Sequence, residues 1–244
     1  METKRPMVVS IAGFDPSGGA GILADIKTFD QHRVYGLGVI TANTFQTDSF
    51  VEDVHWIPAP KIKDQLSLLI DRWNPEWFKI GIIENSDVLE QILVFIMEKN
   101  PQAKIVWDPV LRSSSGFSLF KSDHSITKLL KYITVLTPNL PEFEFLIGSE
   151  EKAVSLSQQT MIYLKGGHRE KARLGEDWLY WNGDKYILQP SLLGNPKHGS
   201  GCILSSAICA NLALNTPVPI AFEKAKHYIE KVLSSNPTLL GWHT

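Results

Sequence analysis

The run Met7 to Ala12 (MVVSIA) is apolar and β-branched with no alternation, and it narrows the possible folds more than any other stretch. A strand with one solvated face alternates apolar and polar residues. An unbroken run needs cover on both faces, as a parallel strand has between two layers of helices. The arrangement then recurs along the chain. A helix is predicted over 20–32, with Ile22, Leu23, Ile26 and Phe29 on one face and Asp25 and Lys27 off that stripe. Further strands are predicted over 35–46, 77–83, 103–107, 133–136 and 160–164, and further helices over 60–73, 88–98, 125–130, 203–214 and 220–233. Asn182-Gly183, set between Trp178–Trp181 and Lys185–Gln189, is a hairpin signal. Strand followed by helix predicts an α/β fold, a three-layer α/β/α sandwich with a mostly parallel central sheet. No repeat, low-complexity stretch or linker interrupts it, so residues 1–244 are expected to form a single domain.

Composition matters mainly for what it removes. Lys and Arg total 24 against 26 Asp and Glu, a formal charge of −2, which leaves no basic excess for a nucleic-acid backbone. No apolar run is long enough to span a bilayer, so no membrane partner is expected. The basic and apolar start of the chain reaches Asp15 without a cleavage pattern and reads as a first strand. The two cysteines, Cys202 and Cys209, stand about 10 Å apart along one predicted helix, too far for a disulfide. That fits a reducing compartment, and a cytoplasmic protein is expected.

In open parallel sheets ligands gather at the carboxyl ends of the strands. Gly13 to Gly21, Gln46, Gly81, Asp108, Asn139 to Glu142 and Lys165 to Gly167 all follow a predicted strand. The glycine-rich opening matches neither a P-loop nor a dinucleotide fingerprint. Later, His198-Gly199-Ser200-Gly201-Cys202 places two glycines, a hydroxyl and a thiol at the start of an apolar helix, where free backbone N–H groups suit a phosphate and the dipole favours a thiolate. Carboxylates for a hydrated metal (Glu142, Asp108), a cation (Lys165) and an anion-binding helix start are the parts phosphoryl transfer needs. Plainer roles exist for each: Glu142 suits a first helical turn, Asp108-Pro109 a turn start, Lys165 an ordinary strand end, and His198 a loop histidine.

Taken together, SIAGFDPSGGAGILADIKTF, VYGLGVITANTFQT, FKIGII, WDPVL, LTPNLPEFEFLIG, YLKGGH, DWLY and HGSGCILSSAI resemble the hydroxymethylpyrimidine and phosphomethylpyrimidine kinases of thiamine synthesis, within the ribokinase-like superfamily. The resemblance runs in order from about Val8 to about Ala213. It implies phosphorylation of the hydroxymethyl group of 4-amino-5-hydroxymethyl-2-methylpyrimidine by ATP with Mg2+, and in many members a second transfer to the monophosphate. It implies Cys202 as the base and the backbone of Gly199, Ser200, Gly201 and Cys202 as the anion hole. Gln46 would bond the pyrimidine beside Gly13 and Asp25, with Ile82 and Val110 as apolar walls. Asn139, Lys165 and Gly167 would face the nucleotide, Asp108 and Glu142 the metal, and two chains would form a homodimer.

The chain also departs from the family pattern. Phe14 stands where a small hydroxyl residue is usual, Thr47-Asp48 follows Gln46 in place of Asn-Thr, Ile82 replaces a frequent methionine, and Ser200 replaces threonine. The segment between Gly148 and Thr160 is short, with room for only a helical stub, and the C-terminus is short too. Pyridoxal or pyridoxine kinase is the neighbouring alternative. A non-catalytic pyrimidine-binding protein is a third, opposed by the retention of Cys202, Glu142 and Lys165.

Overall fold

The structure is a computed structural model that describes residues 5–111, 126–168 and 174–243. The polar segment from Arg112 to Gly116 lies outside the described residues. Strand β1 (Met7–Phe14) leads into helix α1 (Gly21–Gln31), followed by β2 (Tyr35–Gln46), β3 (Val51–Trp56), α2 (Ala59–Trp73), β4 (Trp77–Ile80), α3 (Ser86–Lys99) and β5 (Lys104–Trp107). A 3-10 helix over Ile126–Tyr132 precedes β6 (Val135–Leu136), α4 (Leu140–Leu146), α5 (Glu150–Leu156) and β7 (Met161–Leu164). The chain closes with β8 (Asp177–Trp181), β9 (Asp184–Leu188), α6 (Ser200–Ala213) and α7 (Val218–Ser234).

All nine strands join one sheet in the order β3-β2-β1-β4-β5-β6-β7-β8-β9. The six strands from β2 to β7 run parallel, and β3, β8 and β9 pair antiparallel. The lack of alternation in β1 has the expected cause. Val9 and Ile11 pack into one core with α2 and α3, and Val8 packs into the other with α1, α6 and α7. Helix α6 lies in the second core and is buried from Ile203 to Ala213, which explains a sequence apolar on every face. Asn215, in the left-handed region at φ 57°, ends it: its N–H bonds Leu212 O, and the Thr216 N–H bonds Asn211 O.

Three expectations are corrected. Strand and helix do not alternate throughout, because β3 returns antiparallel beside β2. Its sequence, VEDVHW, carries charge on an outer face, as an edge strand can. On α1 the buried face is Ile22, Ala24, Asp25, Thr28 and Phe29, with Leu23 and Ile26 only half-buried. Asp25 therefore faces inward, and its burial is made possible by partners rather than by polarity. Where a helix was expected over 125–130, Ile126–Tyr132 forms a 3-10 helix, and residue 125 lies outside the described residues. The hairpin forms with Asn182 and Gly183 both at positive φ, as a two-residue turn requires. The short segment after Gly148 holds α5, seven residues long.

Candidate active site

Two glycines lock the entry of α6 against the loop after β1. Gly199 caps α6 at φ 73°, and a Cβ there would lie 2.0 Å from Gly19 O. Gly21 sits at φ 57°, and a Cβ there would lie 2.2 Å from Gly13 O. Only glycine satisfies both the backbone conformation and the close approach. As a result the Gly21 N–H reaches the sulfur of Cys202, which is half-buried in the first turn of α6. Removal from water dominates at that sulfur and pushes the thiol up to about 11, against the lowering influence of the Lys79 ammonium and the Gly21 N–H. This corrects the expectation that the helix dipole leaves Cys202 as a thiolate.

A second group forms where β5, β6 and β7 end. Asp108 is fully buried and accepts hydrogen bonds from Lys165 Nζ at 2.7 Å, Thr137 Oγ1 at 3.2 Å and Ser205 Oγ at 3.3 Å. Burial works to raise the Asp108 pKa, but the Lys165 and Lys79 ammoniums outweigh it and hold the carboxyl below its ordinary range. Lys165 also lies 3.9 Å from Glu142 Oε2, and a Cβ on Gly201 would lie 3.3 Å from Lys165 Nζ. Glu142 and Asn139 form a capping box: the Asn139 N–H donates to Glu142 Oε2 at 2.8 Å, and the Glu142 N–H donates to Asn139 Oδ1 at 2.9 Å. Burial raises the pKa of Glu142. Gly167, in a 3-10 turn after Lys165, is exposed with open space around it. The structure thus brings Asp108, Lys165, Glu142, Asn139 and the Gly201 turn together.

On the other side of α6 the expected residues are split. Asp25 is sealed from solvent. It accepts from Lys79 Nζ at 2.9 Å with both oxygens, from Ser10 Oγ at 2.6 Å and from Ser206 Oγ at 2.7 Å. Lys79 is buried as completely, and although burial alone would lower its pKa, the Asp25 carboxylate raises it. Ile82 packs directly over Gly13, where a Cβ would lie 2.4 Å from Ile82 Cδ1. Val110 is half-buried just past Asp108. Gln46 instead lines an open cleft of about 400 Å³ with Pro16, Thr44, Phe45, Thr47 and Phe50, which takes in none of Gly13, Asp25, Ile82 and Val110.

Sequence reasoning missed four participants. His198 is no free loop histidine: its Nε2 lies 2.8 Å from Asp15 Oδ2, and Asp15 also accepts from Ser17 and the Ala20 N–H. Ser205 and Ser206, adjacent on α6, donate to Asp108 and Asp25 and so pin the helix to both buried carboxylates. Lys79, a charge inside the apolar strand WFKIGII, was the clearest unused signal.

Among the described residues no three His, Cys, Asp or Glu side chains converge on a metal position. Asp108 and Glu142, already flanking Lys165, fit an ion that arrives on a nucleotide with its waters, since Mg2+ is usually held by one or two carboxylates together with phosphates.

A parallel sheet with a glycine-locked helix start at its strand ends, a cysteine in that helix and a lysine–carboxylate cluster beside it defines a ribokinase-like kinase. The profile of the phosphomethylpyrimidine kinase family matches residues 15–244, and the chain belongs to that family. It is 34% identical over 249 residues to the hydroxymethylpyrimidine/phosphomethylpyrimidine kinase of Aquifex aeolicus (strain VF5), covering 96% of each chain. It superimposes on the phosphomethylpyrimidine kinase of Clostridium difficile 630 with a TM-score of 0.78 at 31% identity, covering 92% of this chain and 98% of the other. A pyridoxal kinase of Bacillus subtilis in an ADP complex gives a TM-score of 0.79 at 27% identity, covering 94% and 92%.

Proposed function

We propose that this kinase transfers the γ-phosphoryl group of ATP to the hydroxymethyl group of 4-amino-5-hydroxymethyl-2-methylpyrimidine, and then a second one to the resulting monophosphate, for thiamine biosynthesis. The observation that carries the proposal is the meeting of the Gly199–Cys202 turn with Lys165, Asp108 and Glu142, in a chain of this family. In this reading the acceptor oxygen gives its proton to the sulfur of Cys202 and bonds the γ-phosphorus as the bond to ADP breaks. Backbone N–H groups of Gly199, Ser200 and Gly201 hold the developing negative charge, and Lys165 holds the phosphates. Asp108 and Glu142 would hold Mg2+, which neutralises phosphate charge when bound. Asn139 and Gly167 would border the nucleotide. Gln46 would hydrogen-bond the aminopyrimidine, whose in-plane donors and acceptors an amide can match, with Gly13, Ile82 and Val110 around the ring. Asp25 acts from beneath, by fixing α6.

The proposal further takes residues 1–244 as a single domain, which the continuous nine-stranded sheet supports. It includes a cytoplasmic setting, in keeping with free thiols at Cys202 and Cys209, and a homodimer, which rests on the family resemblance. Among the described residues no helix is long and apolar enough to cross a membrane. Acceptor titration at saturating ATP tests the pocket. Gln46→Ala should raise KM for the pyrimidine about tenfold, in line with the loss of one or two hydrogen bonds, with a smaller change in kcat. An unchanged KM removes Gln46 from the site. Pyridoxal kinase is the second reading, favoured by the Bacillus subtilis likeness, and direct comparison of the two acceptors separates them.

A further inference from the structure

Helix α7 holds two buried charged residues one turn apart, Lys226 and Glu230, whose partners lie on three separate turns. The Lys226 ammonium donates to Gly175 O at 2.6 Å and to Asp177 Oδ2 at 2.7 Å, and Glu230 Oε1 lies 3.6 Å from it. Asp177, as buried as Lys226, also accepts from the Tyr163 hydroxyl at 2.8 Å and from the Gly166 N–H at 2.5 Å. Glu230 accepts from both the N–H and the hydroxyl of Ser191, just past β9. One ammonium thus serves two buried carboxylates, and its removal would leave Asp177 as an uncompensated buried charge.

What this group holds is the 3-10 turn Gly166–His168, which follows Lys165 directly. A Cβ on Gly166 would lie 2.3 Å from Glu176 O, so the turn lies hard against the residue before Asp177. The Gly175 N–H closes the same contact on Gly166 O at 3.2 Å. Gly175 also packs on the stretch after β9, where a Cβ would lie 3.2 Å from Pro190 Cβ and 3.2 Å from Leu193 Cδ2. Lys165 and Gly167, on the nucleotide side of the proposed site, therefore take their position from a turn whose back is bonded to Asp177 and, through it, to α7.

We propose that Lys226 is a positioning residue for the nucleotide: by holding Asp177 and Gly175 it fixes the turn that carries Lys165 and Gly167, and so sets the affinity for the phosphates of ATP and ADP without touching them. The inference rests on the kinase reading above. The bond between the Gly166 N–H and Asp177 is the link through which the ammonium acts. Without Lys226 the Asp177 carboxylate must turn or take in water to regain a partner, and Gly166 loses its fixed acceptor.

The test compares wild type, K226M, the double variant D177N/K226M and, as a control for loosened packing on α7, I229V. It reads the ADP Kd by calorimetry, the KM for ATP and for the acceptor, kcat and melting temperature. K226M should melt lower and should raise the ADP Kd and the ATP KM about tenfold, the scale of one charge-assisted hydrogen bond lost, with acceptor KM and kcat at saturating ATP within about twofold of wild type. The double variant removes the unpaired charge, so it should melt closer to wild type, and it carries the test if K226M does not fold. Its Gly175 O still lacks the ammonium, so it should bind ADP at least about threefold more weakly than wild type. Wild-type ADP affinity in either folded variant, an equal loss of acceptor affinity, or the same loss of ADP affinity in I229V overturns the proposal. If wild type binds ADP but phosphorylates neither acceptor, the kinase reading fails alone and the ADP affinities decide the role of Lys226. If wild type does not bind ADP, both fall.

Discussion

Cys202 is a protonated thiol at neutral pH, because burial outweighs the Lys79 charge and the Gly21 N–H and pushes it up to about 11. A base must be deprotonated to work, so only the small thiolate fraction of the free enzyme is competent. That fraction grows about tenfold per pH unit below the pKa. Since kcat/KM reports ionisations of the free enzyme, it should climb from pH 7 towards pH 10. A profile flat across that range assigns the proton to another group. Cys202→Ala should cost about two to four orders of magnitude in kcat while leaving pyrimidine binding largely intact. Near-normal turnover contradicts the role. At this scale the sequence exposed the residues whose type announces chemistry, such as Cys202, Asp108 and Lys165. The partnership of His198 with Asp15, 183 positions apart, has no local signature and requires the fold.

Helix α6 shows how an apolar element is placed by polar contacts. Its face is apolar all round, so packing alone does not fix its rotation. Ser205 and Ser206 do so through Asp108 and Asp25. Asp25 is tolerable in the core only because Lys79 neutralises it and Ser10 and Ser206 complete its hydrogen bonds. Lys79→Met should therefore destabilise the fold by about 3–5 kcal/mol in urea unfolding, the cost of an unpaired buried charge. The double variant Asp25→Asn with Lys79→Met should recover much of that loss. Equal instability of single and double variants means that the charge is not the cause. The inward face of α1 was illegible for the same reason: polarity marks Asp25 and Thr28 as solvent-facing, and what reverses that is the partners of Asp25 from β1, β4 and α6 and the bond of the Thr28 hydroxyl to Ala24 O within the helix. Strand β3 was overlooked because VEDVHW holds little apolar area, as befits an edge paired on one side.

Across the whole molecule, the repeated unbroken strands were enough to foresee a two-faced parallel sheet whose strand ends carry polar residues; of these, Asp108, Lys165, Glu142 and Asn139 lie close together, and Gln46 lines a cleft of its own. Strand order and the antiparallel edges depend on long-range pairing that no local period encodes. The return of residues 236–239 across Lys197 and His198 was equally hidden, since carbonyl oxygens carry no sequence signal. The central claim is the identity of the acceptor. The most direct test incubates the purified protein with Mg-ATP and either 4-amino-5-hydroxymethyl-2-methylpyrimidine or pyridoxal, and resolves mono- from diphosphorylated products by mass. The account predicts the pyrimidine monophosphate followed by the pyrophosphate, at a kcat/KM well above that for pyridoxal. Phosphorylation of pyridoxal alone, or of neither acceptor, contradicts it.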